Sequence, residues 1–199
     1  MKSSSLLRLA VAGALAGLAA CAGVAKVSDV TSQVSPDYAG HAVTRVMVEA
    51  NTRDLEARGK LETAICDKIT SETGTGCVRA IDNFMAQQTY TGDEVESGME
   101  KVGADALLSI EVNKNPAPPA TTAARDAAAA PPPKAAAQDG ISRPWSAFEM
   151  LLISGSERKM MWYATGRTGP GATWDDLIAS LPQDLTKKLI ADGMLKPKS

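Results

Sequence analysis

Hydrophobic positions alternate with polar ones in five segments of the chain and recur at helical spacing in three others. Period-two alternation predicts strands over residues 43–50, 77–81, 106–112, 146–154 and 160–168. Period-3.6 spacing predicts helices over residues 54–73 and 92–103 and from about 173 to 193. The order β-α-β-α-β-β-β-α predicts an α/β (α+β) domain: a single mixed sheet of about five strands with helices packed on it. The last two strands are close enough in sequence to form an antiparallel hairpin.

Local signals support the ends of these helices. Thr91 with Glu94, and Thr173 with Asp176, have the spacing of a capping box, in which two side chains satisfy the first backbone N–H groups. Pro182 falls inside the last helix and removes one backbone donor, so this helix either bends or divides there.

The first twenty residues predict a signal peptide. Lys2 and Arg8 form a short basic start, and residues 9–25 carry no charge and are too short and too rich in small residues for a membrane span. Residues 18–21, Leu-Ala-Ala-Cys, resemble the lipobox of bacterial lipoproteins; the alternative is an ordinary signal peptide followed by a coincidental cysteine. The resemblance implies cleavage before Cys21 and acylation of that residue, and several acyl chains anchor a protein stably.

Composition divides the rest of the chain. Residues 21–40 contain Ser, Thr, Gln, Asp, Gly and one Pro with little periodicity, and they predict a lipidated N-terminus with a flexible tether. Residues 113–144 hold 11 Ala and 7 Pro, which predicts a disordered insertion. Residues 41–112 and 145–195 together predict one domain, because the 55 residues after the insertion are too few for an independent core. Residues 196–199 form a tail.

Charge and cysteine content narrow the function classes. The net charge of −2 argues against nucleic acid as a partner, and removing the signal peptide leaves 19 basic side chains against 23 acidic ones. The lone histidine, His41, has no companions for a metal site, and no cofactor is predicted. After acylation of Cys21, Cys66 and Cys77 remain; they form either a disulfide in an oxidising compartment or two buried free thiols.

One loop has the residues for a weak ligand site. Arg167, Gly169 and Gly171 lie between the last strand and the last helix, where glycine N–H groups and an arginine can hold an anion. A tight turn is the alternative, since Asp175 and Asp176 already complement the helix dipole. No nucleophile, base and orienting group stand together in the sequence, so we expect no enzyme and no catalytic residues.

The element order resembles that of small periplasmic lipoprotein domains: the curli-secretion lipoprotein, the lipoprotein activators of penicillin-binding proteins and the N-terminal domain of the Tol translocation protein. The residues that carry the likeness are 45–48, 103–108, 161–164 and 189–195. The resemblance implies an envelope binding or assembly role with no active site. We therefore expect a non-catalytic lipoprotein of the outer membrane, facing the periplasm, anchored through Cys21 and bound to another envelope protein. An accessory subunit of a lipid or solute transport system is the alternative, and a hydrolase is a weaker one.

Overall fold

A computed structural model of the protein describes residues 27–85, 88, 90–113, 147–169 and 172–198. The strands in these residues are β1 (Val27–Val34), β2 (Arg45–Asn51), β3 (Gly76–Arg79), β4 (Ala106–Asn113), β5 (Ala147–Ser154) and β6 (Met160–Thr168). The α-helices are α1 (Leu55–Glu72), α2 (Gly92–Val102) and α3 (Trp174–Ala191). Two short 3-10 turns, Pro36–Tyr38 and Ala80–Asp82, follow β1 and β3.

The six strands form one sheet in the order β1-β6-β5-β4-β2-β3. β2 runs parallel to β3 and β4, whereas β5 is antiparallel to both β4 and β6, and β1 is antiparallel to β6. The predicted mixed α/β class, its single sheet and the β5–β6 hairpin are therefore confirmed.

Strand β1 is the element that the sequence reading missed. The prediction of a flexible tether over residues 21–40 is wrong from residue 27 onward, because Val27–Val34 is an edge strand paired with β6. Its apolar residues are few, and Val30 and Val34 pack against the core. Strand β1 is stabilised by backbone hydrogen bonds to β6, and these bonds leave no signal in the pattern of its side chains. The predicted signal peptide, Cys21 and the predicted insertion from residue 114 lie outside the described residues.

The main core lies on the face of the sheet that α1 and α3 cover. Alternate residues of the central strands and one stripe of each helix meet there with almost no exposure. They include Val48, Leu108, Ile110, Phe148, Met150, Leu152 and Trp162 from the sheet and Leu61, Ile65, Ile69, Leu177, Leu181, Leu185 and Leu189 from the helices. Each such side chain contributes roughly 1.5–3 kcal/mol by leaving water.

The opposite side of the sheet is covered only in part. We call it the outer sheet face; its side chains alternate with those of the main core, and it comprises Met47, Glu49, Leu107, Ser109, Glu111, Glu149, Leu151, Ile153, Tyr163, Thr165 and Arg167. Helix α2 and the turn Ala80–Asp82 pack over one end of it, around Met47, Phe84 and Met99. Leu151, Ile153 and Tyr163 stay partly exposed and join neither apolar cluster of the described residues.

Both predicted capping boxes are present. The Thr91 hydroxyl accepts from the Glu94 N–H and the Glu94 carboxylate accepts from the Thr91 N–H; Thr173 and Asp176 do the same for α3. Helix α3 continues through Pro182, so the alternative of a divided helix is wrong. Burial of the leucines on either side of Pro182 outweighs the cost of about 3 kcal/mol that proline carries inside a helix.

A pair of glycine substitutions tests the packing. Gly166 lies opposite Phe148 in the β5–β6 register, and a Cβ at this position would collide with the Phe148 ring. We expect Gly166→Ala to reduce the free energy of unfolding by about 1–3 kcal/mol, the usual cost of overpacking. Gly59→Ala, whose Cβ would meet only Ile81 Cδ1 at 3.8 Å inside α1, should instead stabilise by about 0.5–1 kcal/mol. Urea unfolding of both variants measures the change in the free energy of unfolding. A change of the same sign in the two variants would contradict the prediction.

Candidate functional site

The loop with the predicted ligand residues is described only in part. Arg167 is an exposed residue near the end of β6, and Gly169 follows the strand and accepts a hydrogen bond from the Ala172 N–H. Gly171 lies outside the described residues. The Asp176 carboxylate accepts from the Thr173 N–H and hydroxyl, so it is engaged in capping α3. The described part has a turn hydrogen bond, and the anion site stays a prediction.

The predicted disulfide is present. Cys66 of α1 and Cys77 of β3 are bonded, with their Cα atoms 5.2 Å apart, which excludes the alternative of two free thiols. The bond joins the helix that covers the core to the edge strand of the sheet. Disulfides persist in oxidising compartments, which agrees with the predicted periplasmic location.

Several aromatic residues and the acidic residues of α2 make contacts within the domain. Trp162 is completely buried, Trp174 packs at the edge of the core, and Trp145 lies outside the described residues. His41 is exposed and meets Tyr38 edge to face, with ring centroids 5.9 Å apart. Two acidic residues of α2, Asp93 and Glu96, both pair with Arg158 of the β5–β6 turn.

Asp192, just after α3, joins three elements. Its Oδ2 accepts hydrogen bonds from Ser32 Oγ of β1 at 2.5 Å and from Trp162 Nε1 of β6 at 2.7 Å, and its Oδ1 lies 3.1 Å from Lys188 Nζ. Burial raises the pKa of Asp192, but the hydrogen bonds from Ser32, Trp162 and Lys188 together outweigh burial and hold it below its ordinary value. The carboxylate therefore fixes the missed strand β1 to the domain.

Loss of this carboxylate should destabilise the protein in a pH-dependent way. We expect Asp192→Asn to cost about 1–2 kcal/mol at neutral pH, because charge-assisted hydrogen bonds are lost. The folded pKa lies below the unfolded value of about 3.9, so the contribution is complete above that value and disappears as pH falls through the folded pKa. Denaturant unfolding of both proteins from neutral to acidic pH measures it.

The control is Asp184→Asn on the same helix, where the carboxylate makes no hydrogen bond or ion pair with a described residue. At neutral pH its free energy of unfolding should be close to that of the parent protein. A constant difference between Asp192→Asn and the parent protein down to strongly acidic pH would contradict the role of the carboxylate.

A buried ion pair, Glu62 with Arg58, lies at the end of the sheet where β3 stops pairing with β2. Glu62 of α1 is fully buried; its Oε1 accepts from the Ala50 N–H at 3.0 Å and from Arg58 Nε at 2.8 Å, and its Oε2 accepts from the Ile81 N–H at 2.9 Å. The carboxylate thus bonds the backbone of β2 and of the chain after β3, beyond the last β2–β3 pair, Val48 with Arg79. The sequence offers no signal for this role, since Glu62 stands at an ordinary helical position.

The same guanidinium reaches toward the outer sheet face. Arg58 Nη2 lies 3.8 Å from Glu49 Oε1 and is buried without a hydrogen-bond partner. Burial raises the pKa of Glu49; Arg58 opposes this rise, and the carboxylates of Glu62 and Glu111 add to it. The outer sheet face therefore holds a carboxylate whose charge is incompletely balanced.

The outer sheet face carries two further carboxylates beside Glu49. Glu111 of β4 stands directly opposite Glu149 of β5, and neither forms an ion pair with another described residue. In the next rows Leu151 stands opposite Tyr163, and Leu107 opposite Ile153. The signal for this surface was in the alternation of β4, where Glu111 falls on the side away from the core; its neighbours in space depended on the strand order.

A shallow groove of about 580 Å³ crosses the opposite side of the molecule, between α1 and the start of α3. It is open to solvent. Among its charged lining residues, Lys60 pairs with Glu56 at 2.6 Å, and Arg79 pairs at 2.7 Å with Asp82, which lies outside the lining. In the described ranges, no three His, Cys, Asp or Glu side chains come together as metal ligands. None of the described helices is long and apolar enough to cross a membrane.

Comparison with known proteins gives structural likeness at low sequence identity. No protein-family model matches the chain, and no curated protein matches its sequence. Among solved structures, a PelC dodecamer from Paraburkholderia phytofirmans aligns over 84% of this chain and 99% of its own, with 15% identity and a TM-score of 0.49. The lipoprotein GNA1162 from Neisseria meningitidis aligns over 74% of this chain and 94% of its own, with 11% identity and a TM-score of 0.39.

Proposed function

We propose that the protein is a non-catalytic, lipid-anchored lipoprotein of the outer membrane, facing the periplasm, which binds another envelope protein. The observation that carries the binding role is the outer sheet face. Leu151, Ile153 and Tyr163 form an apolar strip there that stays partly exposed among the described residues. A contiguous exposed apolar patch with polar residues at its rim is typical of a protein interaction site.

The anchor is supported by Cys21 and by the position of β1. Only residues 22–26 separate Cys21 from the first residue of β1, Val27. Even a fully extended chain spans at most about 20 Å over this distance. An acylated Cys21 would therefore hold the domain against the membrane surface, far more closely than a tether to residue 40 would.

The disulfide between Cys66 and Cys77 supports the compartment. Reducing conditions keep cytosolic thiols free, whereas the bacterial periplasm is oxidising. The compartment and the anchor together favour a protein that works beside the membrane on the periplasmic side.

The anchor is tested by metabolic labelling with an alkyne fatty acid, followed by membrane fractionation. The full-length chain should take up the label and sediment with outer membranes. Cys21→Ser should lose the label, whereas the variant with Cys66→Ala and Cys77→Ala should keep it. Label on Cys21→Ser would contradict the proposed anchor. Sedimentation of the parent chain with inner membranes would contradict the proposed outer-membrane location.

The binding role is tested by chemical crosslinking in intact cells, followed by affinity purification of the full-length chain. The same envelope protein should be recovered in repeated experiments and should be absent from untagged cells. Repeated recovery of no partner would contradict the role. Co-purified lipid in native mass spectrometry, without a protein partner, would instead favour an accessory role in lipid transport.

A further inference from the structure

We propose that the outer sheet face binds a polypeptide segment that alternates basic and apolar side chains, supplied by the envelope partner of the proposed function, on which this inference rests. The basic side chains would meet Glu49, Glu111 and Glu149. The apolar ones would cover Leu151, Ile153 and Tyr163.

The carboxylates lie close together because of the strand register. Glu111 and Glu149 are a directly opposed pair on β4 and β5, and Glu49 is on the neighbouring strand β2, opposite Ser109. Directly opposed residues in an antiparallel pair have Cβ atoms about 4.5–5.5 Å apart, and like charges there destabilise the sheet. The fold therefore keeps an unfavourable arrangement that a cationic partner would relieve.

The cations near these carboxylates balance them incompletely. Arg58 Nη2 is 3.8 Å from Glu49 Oε1, beyond hydrogen-bond distance, and Arg58 Nε is already bonded to Glu62. Arg167 is on the same face but one row further along, opposite Ala147. Of the three carboxylates, Glu111 and Glu149 have no ion pair in the described part of the chain, and the pKa of Glu49 is raised by burial despite Arg58.

The apolar strip adjoins the carboxylates without a gap. Leu151 is two residues from Glu149 on the same strand, so both side chains point to the outer sheet face, and Tyr163 stands opposite Leu151 on β6. An extended segment that lies across the strands, along the border between these two parts, has alternate side chains on opposite sides of its backbone and can therefore present basic groups to one part of the face and apolar groups to the other.

Charge decides between this occupant and two others. A second copy docked face to face with its two-fold axis through the carboxylates would bring the carboxylates of both copies together, and one with its axis through the apolar strip would leave the carboxylates of both copies without a cation. Membrane surfaces are anionic or neutral and repel or ignore a row of carboxylates. A basic segment of a different protein removes the repulsion and buries the apolar strip at the same time.

Defined peptides test the chemistry. The probes are fluorescent twelve-residue peptides of alternating Lys and Leu, of alternating Glu and Leu, and of alternating Lys and Ser, titrated with the full-length chain by anisotropy. We expect the Lys–Leu peptide to bind best and the Glu–Leu peptide to bind worst. Glu111→Lys with Glu149→Lys should weaken the Lys–Leu peptide by about tenfold and improve binding of the Glu–Leu peptide.

The matched control is Asp67→Lys with Asp184→Lys, which makes the same change in net charge on α1 and α3, the helices on the opposite side of the sheet. It should leave the affinity for the Lys–Leu peptide unchanged. Circular dichroism verifies that both double variants are folded. Equal weakening in the two variants would show nonspecific charge attraction and overturn the proposal, as would equal binding of the Lys–Leu and Lys–Ser peptides.

Crosslinking in cells separates this inference from the proposed function. In one outcome, the parent chain and the control variant capture a partner that the variant with Glu111→Lys and Glu149→Lys does not capture. In that case both the binding role and the outer sheet face as its surface are supported. If the partner is captured equally by all three proteins, the binding role stands and the outer sheet face is the wrong surface. If the parent chain captures no partner, the proposed function fails whatever the peptides do.

Discussion

Replacing Glu62 by alanine is expected to lower the free energy of unfolding by about 3–5 kcal/mol, the largest effect among the substitutions proposed for this protein. The side chain is completely buried and is the acceptor for the Ala50 N–H, the Ile81 N–H and Arg58 Nε. Its loss leaves two backbone donors unsatisfied and the Arg58 guanidinium, itself 6% exposed, without its closest anion. Denaturant unfolding monitored by tryptophan fluorescence measures the change.

Two comparisons separate the buried charge from a general helix effect. Glu56→Ala removes a carboxylate from the same helix, but its partner Lys60 and Glu56 itself are both largely exposed, so a cost below about 1 kcal/mol is expected. Arg58→Met combined with Glu62→Leu removes both buried charges, and should be less destabilising than Glu62→Ala alone. A double variant at least as unstable as Glu62→Ala would show that the backbone contacts, and not the isolated guanidinium, dominate.

Removing the disulfide is the second large effect. Cys66→Ala with Cys77→Ala should lower the free energy of unfolding by about 3 kcal/mol. The bond closes a loop between two residues 11 positions apart in the sequence, and its loss increases the conformational entropy of the unfolded chain. The loop also contains the turn from α1 into β3, so the edge strand loses its covalent link to the helix. Urea unfolding of the parent chain and the double variant, both without reductant, measures the difference.

Reductant supplies the control for this second prediction. It should destabilise the parent chain by a similar amount and leave the alanine double variant unchanged. Under denaturing, non-reducing conditions, neither Cys66 nor Cys77 should react with an alkylating reagent. Stoichiometric alkylation of both, or a parent chain insensitive to reductant, would contradict the bond.

Strand β1 could not be predicted from the residues near it in the sequence. Its composition is that of a linker, and it becomes a strand because β6 offers an unpaired edge and Asp192 accepts from Ser32. Both partners are more than a hundred residues away in the chain, so no window around residues 27–34 contains them. The anchor-to-domain distance depends on this one pairing.

The contacts of Glu62 and the pairing of Glu111 with Glu149 likewise could not be predicted from the residues near them in the sequence. In the sequence they are an ordinary helical glutamate and two glutamates separated by the whole insertion. Strand order brings β4 beside β5 and sets the register that opposes Glu111 and Glu149. The early end of β3 leaves backbone donors for Glu62 to accept from.

Features that depend on neighbouring residues could be predicted from the sequence: the helices with their capping boxes at Thr91 and Thr173, the alternating strands, and hence the α/β class. The sequence also restricted the sulfur chemistry of the domain to Cys66 and Cys77. The tertiary structure decided the sixth strand, the pairing of those cysteines, the buried Glu62–Arg58 pair and the outer sheet face. These features require groups distant in sequence to meet, and only burial of a common core fixes which distant groups do so.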